Sequence, residues 1–410
     1  MILSDICFDE LNIILNFLPQ SNIWSIKLIN KNYRDFMNTH FKLKYYVHTK
    51  INMDIINKYS KHLEKIIIES YDNISDMDLI GMHNLRVLVL DKNTKITDFG
   101  LKNIPNIKRL CLPRNTNITN DGLKHISGVQ HLQLYSGHIN DEGMKHIPNI
   151  KQLNMTYNKG CITDKGLQYI SKIEELSFII GGDFTDEGLR HIPNIKILNL
   201  YDNYMITDEG LKYIPNVQNL SLHYNQNITD KGLEYIPCIQ KISLSNNKNI
   251  TDKGLKDISN VKFLNLNINK NITDEGLKYI PNVQILDLSE NENITDKGLQ
   301  FIPNVRELYI ANCHHITNNG LKYISNVEKL NLWCNTNITD IGLKYIQNVK
   351  YLCLLQNTNI SCEGLKYIPN VQDLDINNEC YERKTYKFGK EIIIGSLAAA
   401  MIIFYKIYCK

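Results

Sequence analysis

The chain has 410 residues, and its 46 Lys and Arg stand against 43 Asp and Glu, a formal charge of only +3. So even a balance sets up no global field for nucleic acid or an anionic membrane, and no nucleic-acid partner is expected. Its ten cysteines are scattered singly with no C-x-x-C spacing, which fits reduced, buried thiols. The first residues carry Asp5, Asp9 and Glu10 where a secretory leader would be positive, so a cytoplasmic location is expected.

Residues 6–41 form the first element, a helical module whose boundary falls at 1–42. Leu11, Ile14, Leu15 and Leu18 recur at i, i+3, i+4 and i+7, an amphipathic helix stopped by Pro19. A second helical stretch carries Ile23, Ile26, Leu28 and Ile29. This run resembles the F-box, the module by which substrate receptors dock onto the Skp1 adaptor of cullin–RING ubiquitin ligases. Asp9-Glu10-Leu11 and Ile14 match its opening, Phe17-Leu18-Pro19 and Asn22-Ile23 its middle, and Ile29 to Arg34 its closing V-C-K-x-W-R. The chain departs from the pattern at Cys7-Phe8, where Leu-Pro is usual, and at Asn30 and Tyr33, which replace Cys and Trp. The resemblance implies that Leu11, Ile14, Leu18, Pro19 and Ile23 carry adaptor docking. The same residues also fit a plain helical cap, which a repeat array needs at its end. Residues 43–62 then read as a linker and N-terminal capping repeat around Tyr45-Tyr46-Val47.

Residues 63–378 are a repeat. Thirteen glycines from Gly100 to Gly364 recur almost always 22 residues apart, inside a phrase that is clearest from Pro215 to Ile236, PNVQNLSLHYNQNITDKGLEYI. A fixed period of this length means a solenoid, whose units bury their apolar side only by stacking. Leu220-Ser221-Leu222 alternates as a half-buried strand does. Asn225 follows at an inward place, where an amide can donate to and accept from neighbouring backbone. Thr229 is placed to cap a short helix, Asp230 lies in its first turn, and a recurring proline ends it. The pattern L-x-x-L-x-L-x-x-N with I-T-D-x-G-L resembles leucine-rich repeats. It implies an α/β fold, a parallel β ladder with short helices on the convex side, and a count of fifteen strands.

The face between the strand leucines is expected to be concave, with a central column of mostly small, polar, uncharged residues. Aromatic groups gather on it at Tyr135, Tyr157, Tyr201, His223 and Tyr224, and again at Tyr309, Trp333 and Tyr351, the candidate partner-binding residues. The period breaks only between Ser136 and Asp183. A convex row of lysines lies beside acidic turns and reads as a solvated mixed-charge face. Cys313-His314-His315 suggests a metal only superficially, because Cys313 falls at the inward asparagine place. Asn-Ile-Thr, a glycosylation acceptor pattern, recurs as a by-product of the repeat. No phosphate loop, dinucleotide fingerprint, zinc-protease or serine-hydrolase motif is present, so no catalytic residue, cofactor or metal is expected.

Residues 379–410 begin as a charged linker and end in an apolar helix. Ile392 to Tyr405 is uninterrupted by charge, and counting to Cys409 gives a marginal membrane span. This segment reads equally as a C-terminal membrane anchor or as a cap on the last repeat. The functional expectation is a substrate-recognition adaptor of a Skp1–cullin–F-box ubiquitin ligase that binds a target protein through its repeats. The alternative is a ligase-independent, membrane-tethered interaction scaffold.

Overall fold

Leucines two apart in an extended run put both side chains on one face, and each such run in this protein is a strand. The computed structural model describes residues 43–47, 63–68 and, with interruptions at 91–92, 136–137, 157–161, 179–182 and 201–202, residues 74–376. The chain divides into two units between Val217 and Gln218.

The first unit contains β1 (Leu43–Val47), β2 (Leu63–Ile68), β3 (Val87–Leu90), β4 (Arg109–Leu112), β5 (His131–Tyr135), β6 (Gln152–Thr156), β7 (Glu175–Phe178) and β8 (Ile197–Leu200). They pair in chain order, all parallel. The second contains β9 (Asn219–Ser221), β10 (Lys241–Ser243), β11 (Phe263–Asn265), β12 (Ile285–Asp287), β13 (Glu307–Tyr309), β14 (Lys329–Asn331), β15 (Tyr351–Cys353) and β16 (Asp373–Asp375), again parallel in chain order. The described residues thus hold one strand more than the repeat phrase implies. Leu43–Val47 lacks the repeat's asparagine and glycine, yet it pairs with β2 and adds a ladder rung before the first recognisable repeat.

The core repeats with the sequence. In one copy Leu264, Leu266, Ile272, Leu277, Ile280 and Val283 are all completely buried, and Leu110, Leu112, Ile118, Leu123, Ile126 and Val129 are their counterparts in the first unit. At about 1.5–3 kcal/mol per fully buried aliphatic side chain, this stacking dominates stability.

Polar side chains then tie each repeat to the one before it. Asn93 donates from Nδ2 to Ile74 O at 2.6 Å, while its Oδ1 accepts from Lys95 N and Ile96 N at 3.1 and 3.0 Å. One buried amide therefore shapes its own loop and reaches back across the stack. Asn247 does the same from Nδ2 to Asn225 O and Ile228 O at 2.7 and 3.1 Å. The asparagines of the glycosylation-like triplets are also engaged: Asn293 Nδ2 donates to Lys270 O at 2.7 Å, and Asn117, Asn249, Asn271 and Asn337 bond equivalent carbonyls.

The Thr-Asp-x-Gly phrase is a second tie. Thr273 accepts from Glu275 N as the cap of the helix Asp274–Leu277, as expected. The aspartate acts across repeats instead of along its own helix. Asp252 accepts from Thr273 N at 2.8 Å and from Thr273 Oγ1 at 2.7 Å, and Asp274 does so for Thr295 at 2.8 and 2.6 Å. The same pair links Asp98 to Thr119 and Asp186 to Thr207 in the first unit. The recurring glycine is what makes room: a methyl built on Gly276 lands on Asp252, 3.0 Å from Cγ and closer still to Oδ1. The 22-residue glycine is a steric necessity of the neighbouring repeat's carboxylate, with no positive φ involved.

In the second unit the residue before each ladder position turns left-handed, with φ between 55 and 61° at Tyr224, Asn246, Ile268, Glu290, Asn312, Cys334 and Gln356. That turn aims its amide at the next repeat, as with Asn246 N to Asn267 O at 2.9 Å and Ile268 N to Ser289 O at 3.0 Å. Asparagine tolerates this conformation, whereas β-branched isoleucine adopts it at a cost in strain. Ile268→Asn is therefore expected to raise stability by about 1 kcal/mol, read as a higher urea midpoint, and Asn246→Ile to lower it comparably.

Cys313 takes the ladder position as expected, fully buried, with Sγ donating to Leu288 O at 3.2 Å and its thiol pushed up to about 12 by burial. Three other described cysteines are free but depart from the expectation of burial: Cys238 is exposed, and Cys334 and Cys353 are half-buried.

Candidate functional site on the open strand faces

From β3 to β15 one side of each strand packs on the core and the other faces away from it, although Ser177, Asn199, Ser221 and Ser243 in its central column are themselves buried. In a parallel ladder equal registers line up about 4.8 Å apart. In the first unit this places His131, Gln152 and Glu175 in one row and Gln133, Asn154, Ser177 and Asn199 in the next. The rows are hydrogen-bonded across strands. Gln152 Oε1 faces His131 Nδ1, which makes Nδ1–H the donor. Cys111 Sγ donates to Gln133 Oε1 at 2.9 Å, and Asn199 Nδ2 donates to Ser177 Oγ at 3.3 Å. Burial holds the Glu175 carboxyl above the usual carboxylate range. Its neighbour Glu174 is held below that range by Lys196 and Lys151, at 2.7 and 3.3 Å.

In the second unit the open face is more aromatic. Tyr309 on β13, Trp333 just after β14 and Tyr351 on β15 come from three consecutive repeats; Trp333 and Tyr351 are 37% and 40% exposed. Lys329 Nζ lies 5.3 Å from the Tyr309 ring centre and 3.9 Å from Glu307, so this cation is already engaged. Burial raises the Tyr309 hydroxyl and the Asp287 carboxyl above their ordinary values. Asp373 and Asp375 on β16 shift the same way for the same reason.

The expected mid-chain aromatic group is distributed differently. Tyr135 ends β5 in the first unit and is half-buried, whereas His223 and Tyr224 belong to the second. His223 is lowered to about 4 by burial, so its imidazole is neutral beside Ser243 Oγ at 3.4 Å. Tyr224 occupies the left-handed turn after the strand. Tyr157 and Tyr201 lie outside the described residues, as do Leu11, Ile14, Leu18, Pro19 and Ile23 and the apolar run 392–409. Sequence reading missed the row His131–Gln152–Glu175, because its members differ in residue type and lie 21 and 23 residues apart, off the 22-residue period.

On the opposite side, the lysine row is bound up with its own neighbours. Lys278 pairs with Glu275 at 2.5 Å and lies 5.0 Å from the Phe301 ring centre of the next repeat. Lys145 repeats this with Glu142 at 2.6 Å and Tyr169 at 5.4 Å. These contacts form a cation–π seam between helices.

A parallel ladder with one short helix per strand and an inward asparagine rail defines a repeat solenoid. Its units are leucine-rich repeats: the Leucine Rich repeat family model matches residues 146–171, 191–214, 237–259, 258–280, 279–303 and 301–325. No curated protein matches the chain by sequence. Among solved structures, an internalin of Listeria monocytogenes is 20% identical with a TM-score of 0.53, over 79% of this chain and 89% of that one. A leucine-rich-repeat protein of Leptospira interrogans is 19% identical with a TM-score of 0.55, over 76% and 84%. A chain of the yeast Rad7–Elc1 complex is 14% identical with a TM-score of 0.52, over 91% and 98%. At these identities the likeness is one of fold.

Proposed function

We propose that this chain is a protein-recognition scaffold acting as the substrate receptor of a Skp1–cullin–F-box ubiquitin ligase. The observation that carries this reading is the F-box-like run from Asp9 to Arg34 directly ahead of the leucine-rich repeats. The open strand faces supply the other half, since exposed Trp333 and Tyr351 are residue types favoured as interface anchors. The yeast neighbour, solved as a complex of Rad7 with Elc1, gives this fold a precedent in a two-protein assembly. The action is positioning: the N-terminal module tethers the chain to the ligase while the repeats raise the target's effective concentration near it, with no catalytic step of their own. The same reading puts the chain in the cytoplasm, with residues 392–409 serving either as a C-terminal membrane attachment or as a cap on the last repeat.

The test is pulldown of the full chain with purified Skp1. Binding is expected, and the pair Leu18→Asp and Ile23→Asp should reduce it at least tenfold. Absence of binding, or equal binding by the variant, leaves the ligase-independent scaffold as the reading. That alternative is favoured by the departures at Cys7-Phe8, Asn30 and Tyr33.

A further inference from the structure

The second unit carries a groove of about 880 Å³ along the edge where each helix leads into the next strand. Its lining includes the row Lys262, Gln284, Arg306, Glu328, Lys350 and Gln372, one residue per repeat. Gln284 N donates to Lys262 O at 2.9 Å, Arg306 N to Gln284 O at 2.8 Å, Glu328 N to Arg306 O at 2.7 Å and Lys350 N to Glu328 O at 2.8 Å. The backbone ladder therefore extends through this row, and its side chains leave the ladder about 4.8 Å apart. A second row is made of amides. Asn304, Asn348 and Asn370 are exposed, and each gives one Nδ2 hydrogen to a carbonyl of the preceding repeat, at 3.1, 3.2 and 3.1 Å. The other hydrogen and the oxygen of each amide remain for a ligand.

Charge decides the kind of ligand. Three cations of the lining face a single carboxylate, Glu328, which Lys350 and Arg306 share at 2.5 and 3.9 Å. Both cations are open to solvent, the Arg306 side chain being 68% and that of Lys350 45% exposed. The described lining holds no aromatic or aliphatic side chain, so it offers nothing to an apolar anchor. Spacing decides the conformation. The cations stand on alternate rungs, so Lys262, Arg306 and Lys350 follow one another at about 10 Å. A peptide in β conformation repeats a face every two residues, or about 6.7 Å, and falls out of step. A polyproline II segment has three residues per turn and rises about 3.1 Å per residue, so every third side chain returns to one face after about 9.3 Å. Its backbone makes no internal hydrogen bonds, which leaves its peptide groups for the asparagine row, whereas an α-helix has already satisfied its own.

We propose that this groove holds an acidic segment of the partner protein in polyproline II conformation, its carboxylates at i, i+3 and i+6 set against Lys262, Arg306 and Lys350. This rests on the reading that the repeats bind a protein, names the chemistry of what they bind, and is independent of Skp1 docking. Glu328 stands in the groove as a competitor of the ligand's carboxylates. Lys350 immediately precedes the exposed Tyr351, so the groove borders the aromatic part of the open face.

The test is fluorescence-polarisation titration of the full chain with a labelled peptide in which Glu-Pro-Pro is repeated three times. Saturable binding is expected, weakening as salt rises. A peptide of the same composition with its three glutamates adjacent should bind about tenfold more weakly, because only one of them then meets a cation. Arg306→Gln, and the pair Lys262→Gln with Lys350→Gln, should each weaken the parent peptide about tenfold. Glu328→Gln should tighten it about threefold or more, a gain that a merely structural role of this glutamate does not give. Lys297→Ala, which removes a cation from the helix Asp296–Leu299 of the same unit, should leave it unchanged, and thermal melts confirm that each variant is folded. No saturation below about 1 mM peptide overturns the proposal, as does equal affinity for the two glutamate spacings or an unchanged affinity in Glu328→Gln. Tighter binding of an oligothymidylate of equal charge overturns it too, because the groove is then a general polyanion track. Each of these failures is distinguishable from failure of the ligase reading, which shows only in the Skp1 pulldown.

Discussion

Replacing Gly276 with alanine is expected to destabilise the protein by about 2 kcal/mol, opposite in sign to the gain of up to about 1 kcal/mol that the change brings in an exposed helix. The added methyl meets Asp252, whose carboxylate accepts from Thr273 N and Thr273 Oγ1. Either the carboxylate leaves both donors or the short helix shifts off its neighbour. Hydrogen bonds to a charged group contribute about 1.5–3 kcal/mol, enough to outweigh the propensity gain. Asp252→Ala alone should cost about 3 kcal/mol on the same grounds. The decisive variant is the double one. With the carboxylate gone the methyl has room, so Asp252→Ala with Gly276→Ala should cost about 2 kcal/mol less than the sum of the singles. Additive losses in urea titration would show that glycine and aspartate are not a unit.

The largest single effect is expected at the ladder. Asn247 is fully buried; its Nδ2 bonds two carbonyls of the preceding repeat and its Oδ1 accepts from Asn249 N at 2.8 Å. Asn247→Ala strands two carbonyls and an amide in the interior, a loss of about 4 kcal/mol. Asn247→Cys should cost roughly half as much, because a thiol still supplies one weak donor, as Cys313 does toward Leu288 O. The reciprocal change, Cys313→Asn, should raise the urea midpoint. A loss of less than about 1 kcal/mol for Asn247→Ala would mean that the rail is not what joins the repeats.

The repeat phrase made much of the architecture legible before any coordinate. Leu264 and Leu266 face the core because alternation forces them there, and Thr273 caps its helix because a hydroxyl before a helical turn has a local donor to meet. Local rules sufficed because these preferences are satisfied within a few residues. The strand Leu43–Val47 escaped the count because its pairing with β2, not its own motif, makes it a rung.

The sequence by itself determined the period, the strand and helix of each repeat, which positions are buried and where asparagine turns inward. Tertiary structure alone decided what touches across 21 to 24 residues: that Asp252 serves Thr273, that Gly276 yields space to Asp252, and that His131 bonds Gln152, with Glu175 next in the same register. The physical reason is that a period of 22 places equivalent residues side by side only after the chain has completed a full coil of the solenoid. Short-range chemistry specifies each coil, and the stacking of coils specifies which residues share a face.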